Sequence, residues 1–315
     1  MPTSPADSAR TDDVQHHRRI AVFGGVYNNY LALEAAIADA TGRGVDAIYC
    51  LGDLGAFGPH PNRVFPLLIE NCVRVVQGNY DDSIGRGLSH CQCGYTDPRD
   101  NHFAALSYAY TYTHTDKRWR PWLRALPAAL RVRLGPFRVL MCHGSPRRTN
   151  EFLWESTTST QFLDRLARDY DADVILATHT GIKWERTLSG RRRFVNVGVI
   201  GRPENDGRTD VWYAILNTAG ADTANVGSPD AGTPDVDAAG AGPSKLDPPQ
   251  AGTANADASC NLRVQFIPVP YDYERLASDM AAEHLPDAFV ETIRTGWWTT
   301  CLEILPAKER LRGRY

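Results

Sequence analysis

Four apolar runs in this 315-residue chain each end, within a few residues, in a side chain able to hold a divalent cation. Asp53 follows Leu51 in GDLGAFGPHPNRV, Asn79 and Asp81 follow Val76 in QGNYDD, His143 follows Leu140 in MCHGSPRR, and His179 follows Leu176 in ATHTG. If these runs are adjacent strands of a layered fold, their carboxyl ends share one edge, which is where ligands gather. One carboxylate, one amide oxygen and two imidazoles then converge. That donor set suits Mn²⁺, Fe²⁺ or Zn²⁺ better than Ca²⁺ or Mg²⁺, which prefer all-oxygen shells. Taken singly, Asp53 reads as a turn residue, Asn79 as a cap and each histidine as a satisfied buried group. Their common place just past a strand is what makes them a set.

The elements that must position them alternate between strand and helix. Ile20 to Phe23, Ala47 to Leu51, Val73 to Val76, Phe137 to Cys142 and Val174 to Ala177 are short apolar runs. Leu33, Ile37 and Ala40 mark a first helix by their spacing, and Trp119, Leu123 and Leu126 a later one. Such alternation is the signature of an α/β fold. Leu130 to Cys142 reads as a hairpin turning at Gly135-Pro136. Tyr108, Tyr110 and Tyr112 form either a packed surface or a substrate-facing wall.

Composition sets the limits. With 43% apolar and 23% charged residues the chain can bury a full core, and a net charge of −3 disfavours extended nucleic acid and anionic membranes as partners. There is no run long enough to span a membrane and no signal-peptide core, so the cytoplasm is the expected location. Seven cysteines, an odd number, fit reduced thiols. The Cys91-Gln92-Cys93 pair is either incidental or able to share a metal or form a redox pair.

Residues 1–18 are polar and read as a flexible tail, with His16 and His17 solvated at its end. Residues 218–261 are rich in Ala, Gly, Asp and Pro and read as a disordered insertion. DVWYAIL before it and LRVQFIPV after it both read as strands and can be neighbours, because a longer loop costs only logarithmically in closure entropy. The expected domain therefore spans 19–217 and resumes at 262–315, with a last strand and a helical extension carrying Trp297 and Trp298 that packs back on the body.

The stretch RRIAVFGGVYNNYLALEAAI reads as strand, glycine turn and helix, yet its turn offers no strong ligand, base or nucleophile. Neither G-x-x-x-x-G-K-[ST] nor G-x-G-x-x-G is present, so it is not a nucleotide loop. With GDLGAFGPHPNRV, GNYDD, HGSP and NVGVIGRP in this order, the chain resembles the calcineurin-like metallophosphoesterases over roughly Ile20 to Leu216 and again at Val264 to Tyr273. The resemblance implies a four-layer αββα sandwich of two mixed sheets, with two metal ions at the strand ends acting on a phosphate ester. It makes Asp53 the carboxylate shared by both metals, and Asn79, His143 and His179 the remainder of the second position.

The departures from that pattern are concentrated. Gly25-Val26-Tyr27 stands where the family has D-x-H, and Gly181 where its G-H-T-H ends, so the three unshared ligands of the first metal are missing together. Tyr80 replaces the family's histidine in G-N-H-D; a phenol near pKa 10 is a poor general acid. Asp81 then holds Tyr80 in place, and Asn29 faces the phosphate. Tyr27, His60, Cys91 or Cys93 are the substitute ligands to consider, and Arg147 and Arg148, with Arg202 and Asn205 as weaker candidates, the groups to grip a substrate phosphate. The reading is a phosphoesterase with an altered, one-metal site acting on a small phosphorylated substrate. Its rival is an inactive binding or regulatory protein that uses the same cleft, with the C-terminal extension as a surface for a protein partner.

Overall fold

The computed structural model describes residues 14–218 and 261–311. In chain order the elements are β1 (His16–His17), β2 (Arg19–Phe23), α1 (Tyr30–Gly42), β3 (Ala47–Cys50), α2 (Val64–Glu70), β4 (Arg74–Val75), α3 (Asn79–Arg86), α4 (Pro98–His114) and α5 (Arg120–Ala125). They continue with β5 (Ala129–Leu134), β6 (Phe137–Cys142), α6 (Thr160–Asp169), β7 (Val174–Ala177), β8 (Trp184–Thr187) and β9 (Arg193–Asn196). Last come β10 (Val211–Thr218), β11 (Leu262–Val269), α7 (Tyr273–Ala282), α8 (Asp287–Thr295) and α9 (Ala307–Arg310).

Two mixed sheets form, in the orders β1-β5-β6-β7-β9-β8 and β11-β10-β2-β3-β4. The period-two alternation of β2 shows why they stack. Ile20 and Val22 point inward with Tyr49 and Leu51 to meet Val139, Met141, Val174 and Leu176 of the facing sheet. Ala21 and Phe23 point outward onto Leu33, Ile37 and Leu68 of the helices α1 and α2 and onto Leu276 of α7. The outer face of the other sheet, through Leu140, Ile175 and Phe194, takes Leu163 and Leu166 of α6. The result is the expected αββα sandwich. β2, β3 and β4 run parallel, as do β6, β7 and β9, so both sheets bring carboxyl ends to one rim.

Gly24 lies at the seam of that rim. A Cβ there would overlap Thr178 Oγ1 and the carbonyl oxygen of Gly198, so only glycine lets the end of β2 approach the ends of β7 and β9. The Gly135-Pro136 hairpin pairs Leu134 with Phe137, as its turn chemistry predicts.

The tail ends earlier than its composition implies. His16 and His17 pair in parallel with Arg133 and Leu134, and His17 Nε2 lies 2.7 Å from the Tyr49 hydroxyl, so these histidines belong to the sheet. A polar strand is stable there because the ladder satisfies its backbone, not because it buries apolar area. The expected disordered insertion lies, except at its edges, outside the described residues. Its flanks are antiparallel neighbours in continuous register from Val211↔Val269 to Thr218↔Leu262. No helix among the described residues is long and apolar enough to cross a membrane.

Closing the ladder at Thr218 and Leu262 makes the connecting segment dispensable for pairing. Replacing residues 219–261 by a two-residue type I′ turn is expected to raise the free energy of unfolding by on the order of 2 kcal/mol through shorter loop closure. Urea titration checks it, and a loss of stability would show that the segment supports the body.

Candidate metal centre

The turns after β3, β4, β6 and β7 bring Asp53, Asn79, His143 and His179 to one buried spot. Their exposures are 4%, 3%, 1% and 8%. His143 Nε2 lies at its middle, 3.3 Å from Asp53 Oδ2 and 3.1 Å from both Asn79 Oδ1 and His179 Nδ1. These are the edge lengths of a small coordination polyhedron. Asp53, His143 and His179 form one of two groupings of metal-ligating side chains among the described residues tight enough for an ion; the other, all carboxylates, is Asp97, Asp100 and Glu303.

Three of the four donor atoms are aimed by a bond made elsewhere on the side chain. His143 Nδ1 lies 2.6 Å from the Leu51 carbonyl, which takes its proton and turns the Nε2 lone pair inward. Asn79 Nδ2 donates to the Cys91 carbonyl at 2.8 Å, so Oδ1 faces the centre. Asp53 Oδ1 accepts from Tyr80 N at 3.0 Å and leaves Oδ2 free. His179 stacks against Phe152 at 4.4 Å between ring centroids, and its buried Nε2 has no hydrogen-bond partner. Asp53 and His179 both hold positive φ, 56° and 69°, backbone strain of the kind that collects at functional sites.

The electrostatics follow from this crowding. Burial alone would push the Asp53 carboxyl up, but the adjacent His143 pulls it below its usual value. Burial works against charge on His143 too, and Asp53 overcomes it, holding the imidazole above its ordinary range. His179, desolvated beside His143, is pushed down to about 3 and stays neutral. With the Nδ1 proton of His143 committed to Leu51, its Nε2 and the oxygens of Asp53 and Asn79 face one another as lone pairs. Only a proton or a metal ion placed among them makes the arrangement favourable, and the mixed N and O donors fit Mn²⁺, Fe²⁺ or Zn²⁺.

Several other expected roles meet different partners. Asp81 does not hold Tyr80. Its carboxylate accepts the backbone N–H of Gly78 at 2.8 Å, Asp53 at 2.9 Å and Leu54 at 3.0 Å, tying the turn after β4 to the turn after β3. Tyr80 turns into the core and donates to Ser107 Oγ at 3.0 Å. Asn29 caps α1 by accepting from Ala32 N at 3.0 Å, while its amide donates to the carbonyls of Ile200 and Gly201. Arg147 pairs with Glu151 and Arg148 donates to Asn150, both at the exposed surface.

The substitute ligands for the first position do not assemble. Cys91 and Cys93 are joined to each other as a disulfide, which corrects the expectation of reduced thiols there. His60 faces Glu283 and Tyr30. The Tyr27 ring fills the space beside Gly25, coming within 2.5 Å of where a Cβ on Gly25 would stand. At Gly181 the corresponding space is taken by Trp298, 2.9 Å from the place of a Cβ. A second metal does not fit these residues. The tyrosines of α4 have mixed uses: Tyr110 bonds Glu283, whereas Tyr108 and Tyr112 line a cavity of about 560 Å³ that Cys91 also borders.

Residues distant in sequence complete the surroundings. Trp298 from the C-terminal extension is pinned by its indole N–H to the Pro203 carbonyl at 2.7 Å and by its backbone N–H to Asn205 Oδ1 at 2.8 Å. Arg202 lies over its ring, with Cζ 3.5 Å from the centroid. The pair of tryptophans in the sequence flagged the extension as one that packs, but nothing local in either segment names its partner.

A buried set of metal-type donors at the common rim of two stacked mixed sheets is the arrangement of a metal-dependent phosphoesterase. Residues 18–220 match the model of the calcineurin-like phosphoesterase superfamily domain, and the chain belongs to that superfamily. It is 25% identical over 214 residues to an uncharacterised protein of Methanocaldococcus jannaschii, covering 63% of this chain and 82% of that one. Its fold is similar to that of a hypothetical protein from Pyrococcus horikoshii OT3, with TM-score 0.65, 20% identity, and coverage of 89% of this chain and 99% of the other. It is also similar to a metallophosphoesterase from Sphaerobacter thermophilus, with TM-score 0.57 and the same identity and coverage.

Removing the Asp81 carboxylate leaves three buried N–H groups unpaired, at about 1–3 kcal/mol each. Asp81→Ala is therefore expected to lose at least about 3 kcal/mol by urea denaturation and to weaken Mn²⁺ or Zn²⁺ binding by about 10–100-fold in calorimetric titration. Wild-type stability in this variant would show that the tie between the two turns is not needed.

Proposed function

We propose that the protein is a phosphoesterase with a one-metal site formed by Asp53, Asn79, His143 and His179, acting on a small phosphorylated substrate. The observation that carries this reading is the inward convergence of four donors, three of them fixed by hydrogen bonds on their outer atoms and His179 by its contact with the Phe152 ring. A divalent ion held there supplies Lewis-acid polarisation of a phosphoryl oxygen and a more acidic water. The chain's own contribution is positional. Asp81 holds the two turns together, Leu51 sets the tautomer of His143, and Cys91 fixes the face of the Asn79 amide.

Tyr80 does not take the leaving-group role that the family gives to a histidine at that position. The Tyr80 hydroxyl is bonded to Ser107, and burial pushes its pKa well above the usual phenol value. The reading therefore favours esters with good leaving groups, which need no protonation. A phosphodiester or monoester of an acidic alcohol or phenol fits this better than an alkyl ester.

Hydrolysis of aryl phosphomonoesters and diesters should be measured with Mn²⁺, Fe²⁺ and Zn²⁺. Metal-dependent turnover that Asp53→Asn abolishes is the expected result; absence of turnover with every metal and substrate class sinks the proposal. Ligands must also be free of protons. Because His143 is held above its usual value by Asp53, its imidazole is charged below that raised pKa and a metal must displace the proton. Metal affinity is expected to fall by up to about tenfold per pH unit as the pH drops through that range and to level off above it. Titration calorimetry across pH 5 to 8 checks the sign; a flat profile removes His143 from the ligand set.

The rival reading, a binding protein that uses the same cleft without turnover, is favoured by one feature. The space beside Gly25 and Gly181, the first-metal ligands' place in the family, is packed with the rings of Tyr27 and Trp298. A ligand that raises thermal stability without being consumed would support it.

A further inference from the structure

The residues that fill the first-metal position do not leave it neutral. Arg202 is only 6% exposed, yet among the described residues it has no carboxylate partner and its buried Nε has no acceptor. Its guanidinium rests on aromatic rings instead, 3.5 Å from the centroid of Trp298, 4.9 Å from that of Phe57 and 5.9 Å from that of Tyr27. The nearby carboxylates are used elsewhere. Glu204 takes the Lys183 ammonium, and Asp100 accepts the backbone N–H of Ile304 at 2.8 Å. Burying an isolated charge is costly, and a cation–π contact offsets only part of that cost.

The position of this charge is specific. Nη2 of Arg202 lies 3.7 Å from where a Cβ on Gly181 would stand, on the same loop as the metal-centre residue His179. The loop that carries Arg202 is locked to the first turn, with the N–H groups of Ile200 and Gly201 both donating to the Gly25 carbonyl, at 3.1 and 2.8 Å. Two positions lacking ligands, Tyr27 and Gly181, thus flank one guanidinium, and Gly25 holds the loop that carries it. Three rings lie against the group, and its edge carries the N–H donors.

We propose that Arg202 is a built-in cation at the place of the first metal, binding the phosphoryl oxygens of a phosphate-class anion through the edge of its guanidinium beside the Asp53 centre. The planar fork matches two oxygens of a phosphate. The aromatic box fixes its plane, so little rotamer freedom is lost on binding. The assignment deepens the phosphoesterase reading of the same site but does not need hydrolysis to occur.

The test uses the full chain, freed of metal by chelation, with inorganic phosphate as probe. Phosphate is expected to raise the unfolding temperature and to bind in calorimetric titration. Arg202→Met keeps the length and the contact with Trp298, and should lower phosphate affinity at least tenfold without lowering the unfolding temperature in phosphate-free buffer. Arg202→Lys, which keeps charge but not the fork, should fall between the two. It also serves if the methionine variant does not fold. Phosphate binding unchanged in these variants, or none in the wild type, overturns the assignment. So does native mass spectrometry showing two metal ions per chain. Absence of hydrolysis with Arg202-dependent phosphate binding intact would remove the phosphoesterase reading and leave this one standing.

Discussion

Four potential lone-pair donors facing one another in a buried space are stable only with a proton or a metal ion among them. In this protein that constraint organises the rim of the sandwich. Asp53, Asn79, His143 and His179 come from the ends of four strands in two different sheets; the first three are held by bonds on their outer side and His179 by the Phe152 ring. The strained backbone at Asp53 is supported by the Asp81 carboxylate, which joins one turn to the next. The outer shell is thus built to present donors, and the charge that satisfies them is a matter of proton or metal occupancy.

The other half of the ancestral site obeys the same electrostatics by a different route. Where ligand side chains are absent, the space is filled by Tyr27 and Trp298, and the positive charge is covalently part of the chain as Arg202. Packing explains why the replacements come together. A side chain at Gly181 would meet Trp298, and one at Gly25 would meet Tyr27, so restoring a ligand at either position first requires moving a ring. The C-terminal extension is consequently a wall of the site as well as a cover on the body.

Much of this was legible from residue order. Alternating apolar runs and their lengths marked the layers, and the polar clusters after Leu51, Val76, Leu140 and Leu176 marked the rim, because a strand must end where its apolar period stops. That the strands around residues 219–260 can be neighbours was also readable, since closure entropy rises slowly with loop length; their antiparallel register was not. His16 and His17 were not readable as a strand. Their pairing rests on backbone hydrogen bonds with Arg133 and Leu134, to which side-chain hydropathy is blind.

The sequence by itself determined which donor types are present, the strand ends that carry them, and which family ligands are missing. Those are properties of local pattern and covalent order. Only the tertiary structure decided the partners of each donor's second atom. It committed Asp81 to backbone amides, Tyr80 to Ser107, Asn29 to a helix cap, and Arg147 to Glu151. It also set Arg202 against Trp298, far apart in the chain. A hydrogen bond or a ring stack depends on distances of a few ångströms between segments remote in sequence, and no spacing rule along a single chain encodes that distance.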